Sequence, residues 1–175
     1  MPSRVTAAPA TRHKNLGHCS LIATAPGAAP SCLATLRAGS PDGVFVVDAQ
    51  QRIVHWNDIV HTLLGYAPDE VLGRRCYEVL AGHDAAGRNV CQRLCREVRC
   101  AERGQSAPDR DVLVRARDGR RIWLHIVSLL LTLPCYDEPL IVHLCRDVTK
   151  EKHAVRIFDV LLGLLSEHVE HSEHV

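Results

Sequence analysis

No stretch of this sequence is both long and apolar. The longest, Ile126 to Leu133, is a run of eight interrupted by Ser128 and Thr132, far short of the roughly 18 residues that cross a bilayer. An export signal is lacking as well, because its one candidate core, Leu16 to Ala29, is broken by His18, Cys19, Pro26 and Gly27. A soluble chain in the reducing cytoplasm, with no membrane partner, is therefore expected. Neither sign of charge is in excess. Twenty-one basic residues face 20 acidic ones, for a net charge of +1, which gives no broad field for direct nucleic-acid binding. The sequence also has no G-x-x-x-x-G-K-[ST] loop, no G-x-S-x-G elbow and no H-E-x-x-H helix, so no enzymatic activity is expected. Roughly 25 residues follow Thr149, too few for a kinase, cyclase or DNA-binding module. Output is expected to pass through a signalling partner or a second subunit.

Acidic residues are absent from the first 41 positions, which hold only four basic residues among many Ala, Pro, Ser and Thr. Such a segment buries too little apolar surface to offset its ordering entropy, and residues 1–36 are read as a flexible leader. A domain over 37–149 follows, and 150–175 form a terminal helix and tail. Within the domain, the turn-forming cluster Ser40 to Gly43 precedes a β-branched and aromatic run, Val44 to Val47, and a turn over Asp48 to Gln51 leads to a second strand, Arg52 to Trp56. Asn57 or Asp58 caps the next helix, whose apolar stripe is Ile59, Val60, Leu63 and Leu64. Pro68 to Gly73 reads as one further helical turn, and several short helices run on to Gly104. From Asp111 the apolar period becomes two, Asp118 and Gly119 mark a hairpin turn into Ile122 to Leu133, and Leu140 to Cys145 gives a last strand. Lys150 to His168 is an amphipathic helix with Ile157, Val160, Leu161, Leu164 and Leu165 at three- and four-residue intervals. Nothing in sequence follows to cover that stripe, so homodimerisation through the helix is predicted. The fold class is α+β, with one antiparallel sheet covered on one face by helices.

Gly43 to Asp48, Ile53 to Asn57, Leu64 to Tyr66, Glu70 to Gly73, the Asp118-Gly119 hairpin and Arg146 to Thr149 occur in an order and spacing that resembles a PAS domain over about Leu36 to Glu151. The resemblance implies a five-stranded antiparallel sheet with short helices on one face, a core or cavity between them, and a C-terminal signalling helix. It also implies a function: sensing a small molecule, light or redox state, or providing dimer contacts. Fold alone does not decide among these.

Cys76 falls near the reactive cysteine of the photoactive light-oxygen-voltage branch of that family. The branch's Asn-Cys-Arg-Phe-Leu-Gln core is replaced here by Arg75 to Leu80, and the later strands lack the Asn and Gln that would bond a flavin ring, which argues against flavin. A haem would need His55, His125 or His143 aimed inward, and spacing selects none of them, which argues against haem. More distinctive is that Cys76, Cys91, Cys95 and Cys100 lie within 25 residues. Thiolates suit zinc or an iron–sulfur cluster, and these four are the candidate metal ligands, with Cys91 and Cys95 expected on one helix face and His83 an alternative to Cys100. No C-x-x-C occurs. Two other readings stay open: the cysteines fill the core as small hydrophobes, or they sense redox state with pKa values lowered by Arg93, Arg96, Arg99 and Arg103. Cys19, Cys32, Cys135 and Cys145 are given no chemistry, and His168, His171 and His174 are read as a solvated tail. The function expected is a small PAS sensory module that detects a ligand or redox state and signals through dimer or partner contacts. The alternative is a ligand-free PAS interaction module serving a transcription regulator or kinase.

Overall fold

The structure, a computed structural model, describes residues 41–133 and 136–172, with side chains described as far as Leu162. The leader over 1–36, Cys19, Cys32, Cys135 and His174 lie outside the described residues, as do the side chains of Leu164, Leu165, His168 and His171.

The chain runs β1 (Gly43–Val47), β2 (Ile53–Trp56), α1 (Asp58–Leu64), α2 (Pro68–Val71), α3 (Cys76–Leu80), α4 (Arg96–Ala101), β3 (Arg110–Arg115), β4 (Arg121–Leu131), β5 (Leu140–Asp147) and α5 (Thr149–Ser172). The five strands form one sheet in the order β2-β1-β5-β4-β3, every neighbouring pair antiparallel. The expected α+β class and five-stranded PAS-type sheet are thus present.

Local chemistry explains the element boundaries. The Asn57 side chain accepts hydrogen bonds from the Val60 N–H at 2.9 Å and the Val44 N–H at 3.0 Å. One buried amide oxygen therefore caps α1 and satisfies a donor of β1. Gly65 ends the helix at φ +77°, where its N–H bonds the His61 carbonyl, a conformation that glycine adopts without a Cβ penalty. Of the stripe expected on α1, Val60 and Leu64 are buried and Leu63 packs against the core, but Ile59 is 42% exposed. The stripe is narrower than the sequence suggested because α1 lies on a strand hairpin and presents only one edge to it. The Ala116 N–H bonds the Arg120 carbonyl at 2.8 Å across the Asp118-Gly119 turn, so the expected hairpin forms.

Alternation along the strands sorts the sheet into two apolar layers. Phe45, Val47, Val112, Val114, Ile122, Leu124, Ile126, Ile141 and Cys145 face the short helices and pack with Val60, Leu64, Val71, Val79, Leu80 and Val98. Val44, Val46, Leu140 and Val142 form a second cluster on the other face. No helix among the described residues is long and apolar enough to cross a membrane.

Candidate functional site

Two places on this scaffold gather polar chemistry: the helix-covered face of the sheet around the cysteines, and the joint between β4 and α5.

The connection before α4 decides the first. Cys91 lies in an irregular segment and Cys95 is the N-cap of α4, so the four-residue spacing does not put them on one helix face as expected. The segment is pinned to β3 instead. His83 and Leu113 exchange backbone hydrogen bonds at 2.9 and 2.8 Å, and the Val90 and Cys91 N–H groups both bond the Gly82 carbonyl. A Cβ on Gly82 would overlap the Val112 side chain and stand 2.9 Å from the Cys91 sulfur; glycine is what lets this segment approach β3 so closely.

Cys76 lies near Cys91 and Cys95, but nearness alone does not make a ligand set. Among the described residues no group of three or more His, Cys, Asp or Glu side chains is placed to hold a metal ion, so the arrangement does not support the expected Cys76, Cys91, Cys95 and Cys100 zinc or iron–sulfur site. The sulfurs have other partners. Cys95 Sγ accepts from Gln51 Nε2 at 3.4 Å, and Cys100 Sγ accepts from Arg103 Nη2 at 3.6 Å. Arg93, Arg96, Arg99 and Arg103 are not among the influences on the Cys76, Cys91 and Cys95 thiols, and the pull of Arg110 on Cys91 is outweighed by burial. Burial first, then the nearby Cys95 and Cys91 thiols and Glu97, pushes the Cys76 thiol far above its ordinary range. Burial likewise raises Cys91 and takes Cys95 up to about 11. Cys145, which the sequence reading passed over, sits in the same environment: burial pushes its thiol up, with Cys91 and then Asp42 adding to the effect. These thiols are held protonated, the weakly reactive form.

Three polar devices line the same face. Glu97 on α4, 5% exposed, accepts from Arg110 Nη2 on β3 at 2.8 Å. Gln51, at φ +63°, donates to the Gln92 carbonyl and accepts from the Leu94 N–H, which is itself at φ +53°. One amide thereby ties the β1–β2 turn to the segment before α4, joining two left-handed residues. Ser128 Oγ and His143 Nδ1 are 2.9 Å apart, and the His143 ring stacks on Phe45 with centroids 4.4 Å apart. Burial is the main cause that lowers the His143 pKa to about 4, so it is neutral at pH 7. None of these three was legible as a site. A lone Gln, Glu or His gives no spacing signal, although a buried-strand pattern containing His143 and Ser128 was open to the question of what satisfies them.

The strands present a flavin ring with a largely apolar surface on this face. Inward positions of β4 and β5 are Ile122, Leu124, Ile126, Ile141 and Cys145, and their polar members, Ser128 and His143, bond each other. Of the three histidines considered for a haem, His143 alone lies on this face, where its Nδ1 bonds Ser128 Oγ. His125 is held between Asp111 at 2.8 Å and Asp109 at 3.4 Å, and His55 pairs with Val46, whose side chain belongs to the opposite layer.

The second place is the joint. Trp123 in β4 bonds the start of α5 through both backbone groups. Its N–H donates to Thr149 Oγ1 at 2.9 Å, and its carbonyl accepts from the Val148 N–H at 2.9 Å. Asp147 accepts from the Thr149 N–H at 2.8 Å, and Arg146 makes a paired contact with Asp42 at 3.0 and 3.2 Å. Lys152 reaches Asp111 and lies 5.6 Å from the Trp123 ring centroid. Burial is the largest influence on the Asp111 carboxyl and pushes it up, but hydrogen bonds from Lys152 and His125 hold it below the usual carboxylate range. Beyond the joint, Val155, Ile157, Phe158, Val160, Leu161 and Leu162 are 48–62% exposed. The part of the expected stripe that is described does not fold back on its own sheet.

Residues 38–153 match the family described as PAS fold. Among solved structures, the PAS domain of a protein from Colwellia psychrerythraea is 23% identical over 67% of this chain and 94% of that one, with a TM-score of 0.53. A domain of a sensory box sensor histidine kinase/response regulator from Geobacter sulfurreducens is 22% identical over 66% and 91%, with a TM-score of 0.50. An RNA-binding light-oxygen-voltage receptor is 22% identical over 89% of this chain but only 42% of its own, with a TM-score of 0.55. At these identities the likeness concerns the fold. No curated protein matches the chain.

Proposed function

Because this chain belongs to the PAS family, whose fold serves as a sensing and signalling module, we propose that it detects a small ligand or redox state at its cysteine-bearing face. It reports the change through α5 to a second copy or to a signalling partner, from the cytoplasm and without a catalytic step of its own. The observation that carries this reading is the joint. A central strand of the sheet is bonded through both backbone groups of Trp123 to a helix whose described apolar residues face solvent. Between the two kinds of signal, the raised thiol pKa values favour a ligand over direct thiol oxidation, which needs the thiolate. Self-association through α5 follows from its exposed apolar residues, since such a surface on a helix is stabilised by a second apolar face.

A second reading, a ligand-free interaction module, is favoured by one observation: the close packing of Gly82 against Val112 and Cys91 under the short helices. Full-length protein purified without oxygen separates the two. Native mass spectrometry is expected to find a bound organic compound, and light scattering a dimer that Leu161→Glu converts to monomer. A dimer carrying nothing transfers the case to the interaction module. A wild type that is already monomeric and carries nothing overturns both.

A further inference from the structure

Between the β3–β4 hairpin and the first turns of α5 lies a groove of about 850 Å³, within the range of ligand sites. Arg115, Arg121, Lys152, His153, Arg156 and the half-buried Trp123 line it. The arrangement of cations is unfavourable by itself. Arg115 and Arg121 stand directly opposite each other in the β3–β4 ladder, where like charges destabilise a sheet, and Lys152 and Arg156 repeat the conflict four residues apart on a helix. The guanidiniums of Arg115, Arg121 and Arg156 have no carboxylate partner among the described residues. Two carboxylates stand near. Asp111 is taken by Lys152 and His125, and Asp84, in the groove wall, is taken by Arg88 and the Ala86 and Arg88 N–H groups. The groove therefore carries uncompensated positive charge from two separate elements.

We infer that this groove binds a small polyphosphate anion, a ligand with two or more phosphate groups, and that the bound anion bridges the hairpin to α5. Arginine forks match phosphate oxygens bidentately, and a ligand of at least two charges is needed to answer three unpaired guanidiniums on facing walls. A concave groove in a chain of net charge +1 favours a small ligand over a long nucleic-acid strand, which relies on a broad basic surface. Whatever reaches the cysteine-bearing face, an anion here would fix the helix relative to the sheet at the joint already described. The site thus goes beyond the sensory reading and stands without it.

Calorimetric titration of the full chain with inorganic tripolyphosphate and with a nucleoside triphosphate, at ~20 and ~150 mM salt, tests the inference. Saturable binding is expected, weaker at the higher salt. Arg115→Gln/Arg121→Gln should weaken it about tenfold or more, and so should Arg156→Gln, which leaves the sheet untouched. Arg74→Gln/Arg93→Gln, outside the groove, should not. The hairpin variant should fold at least as well as wild type, because it removes a repulsion. Tighter binding of the nucleoside triphosphate identifies an organic source, and equal binding an inorganic one. No binding of either at low salt, equal loss in the control variant, or binding only of a single-stranded oligonucleotide overturns the proposal.

Discussion

Replacing His143 with Leu should flatten the acid side of the stability profile. The imidazole ordinarily titrates near 6.5, and burial lowers it to about 4 in the fold. Between those values the unfolded chain binds a proton that the native chain does not, so stability rises with pH across the window and falls as the solution is acidified. At about 1.4 kcal/mol per pH unit, the interval costs the wild type about 3 kcal/mol on going from pH 6.5 to 4. The variant loses that dependence but pays at neutral pH, because Ser128 then lacks its partner and the Phe45 stack is gone, about 1–2 kcal/mol. The two curves should converge or cross on acidification. Urea denaturation at half-unit steps from pH 7.5 to 4 measures both, and the difference between the proteins cancels the other histidines. Parallel curves, or a His143 imidazole resonance (the one missing from the variant) titrating near 6.5 in folded wild type, would refute the reasoning.

Three further outcomes follow from the packing. Asn57→Ala should lower unfolding stability by about 2 kcal/mol, since it removes the α1 cap and strands the Val44 N–H; a loss below about half that in urea melts counts against the double role. Gly82→Ala should cost about 1–3 kcal/mol by overpacking against Val112 and Cys91, and Val112→Ala in the same chain should cost less than the two singles added; strict additivity would show that the close approach relaxes freely. Cys76, Cys91, Cys95 and Cys145, with their raised pKa values, should resist iodoacetamide at pH 7.5 in native protein and react at once in urea, and rapid native alkylation mapped by mass spectrometry would show that the face is open.

The sheet was readable because its signals are local. Val112 and Val114 alternate with exposed or half-exposed neighbours, Asp118-Gly119 punctuates a hairpin, and Asn57 stands where a cap is needed. The cysteine face was not readable for a related reason. Its geometry depends on Gln51, Ala81 and Leu94 in left-handed conformations, which no periodicity announces, and these bends separate Cys91 from the helix on which spacing alone would place it. Sulfur chemistry was inferred from nearness in sequence, whereas environment decides thiol behaviour. Cys145, distant in sequence, shares the thiol environment, and Cys100 turns to Arg103. The groove beside α5 was hidden by the chain's balanced net charge, which averages away a local excess brought together only when the hairpin meets the helix.

The sheet and the joint differ in what it costs to move them. β4 and β5 are paired over eight positions, from Leu124 opposite Asp147 to Leu131 opposite Leu140, and slipping by one residue would turn Leu124, Ile126 and Cys145 away from the core. The joint is held by the Trp123, Val148 and Thr149 hydrogen bonds and by charged contacts of Lys152 and Arg146 near solvent, each worth about 1 kcal/mol or less net. Because Trp123 and Ser128 lie on one strand, a change beside His143 reaches the joint along a rigid element and meets the weakest contacts there. Motion should therefore concentrate between Val148 and Lys152 with the sheet register unchanged. Hydrogen exchange faster at these amides than at Ile126 and Leu144 is the expected record; protection that fell first within β4 and β5 would place the moving part in the sheet instead.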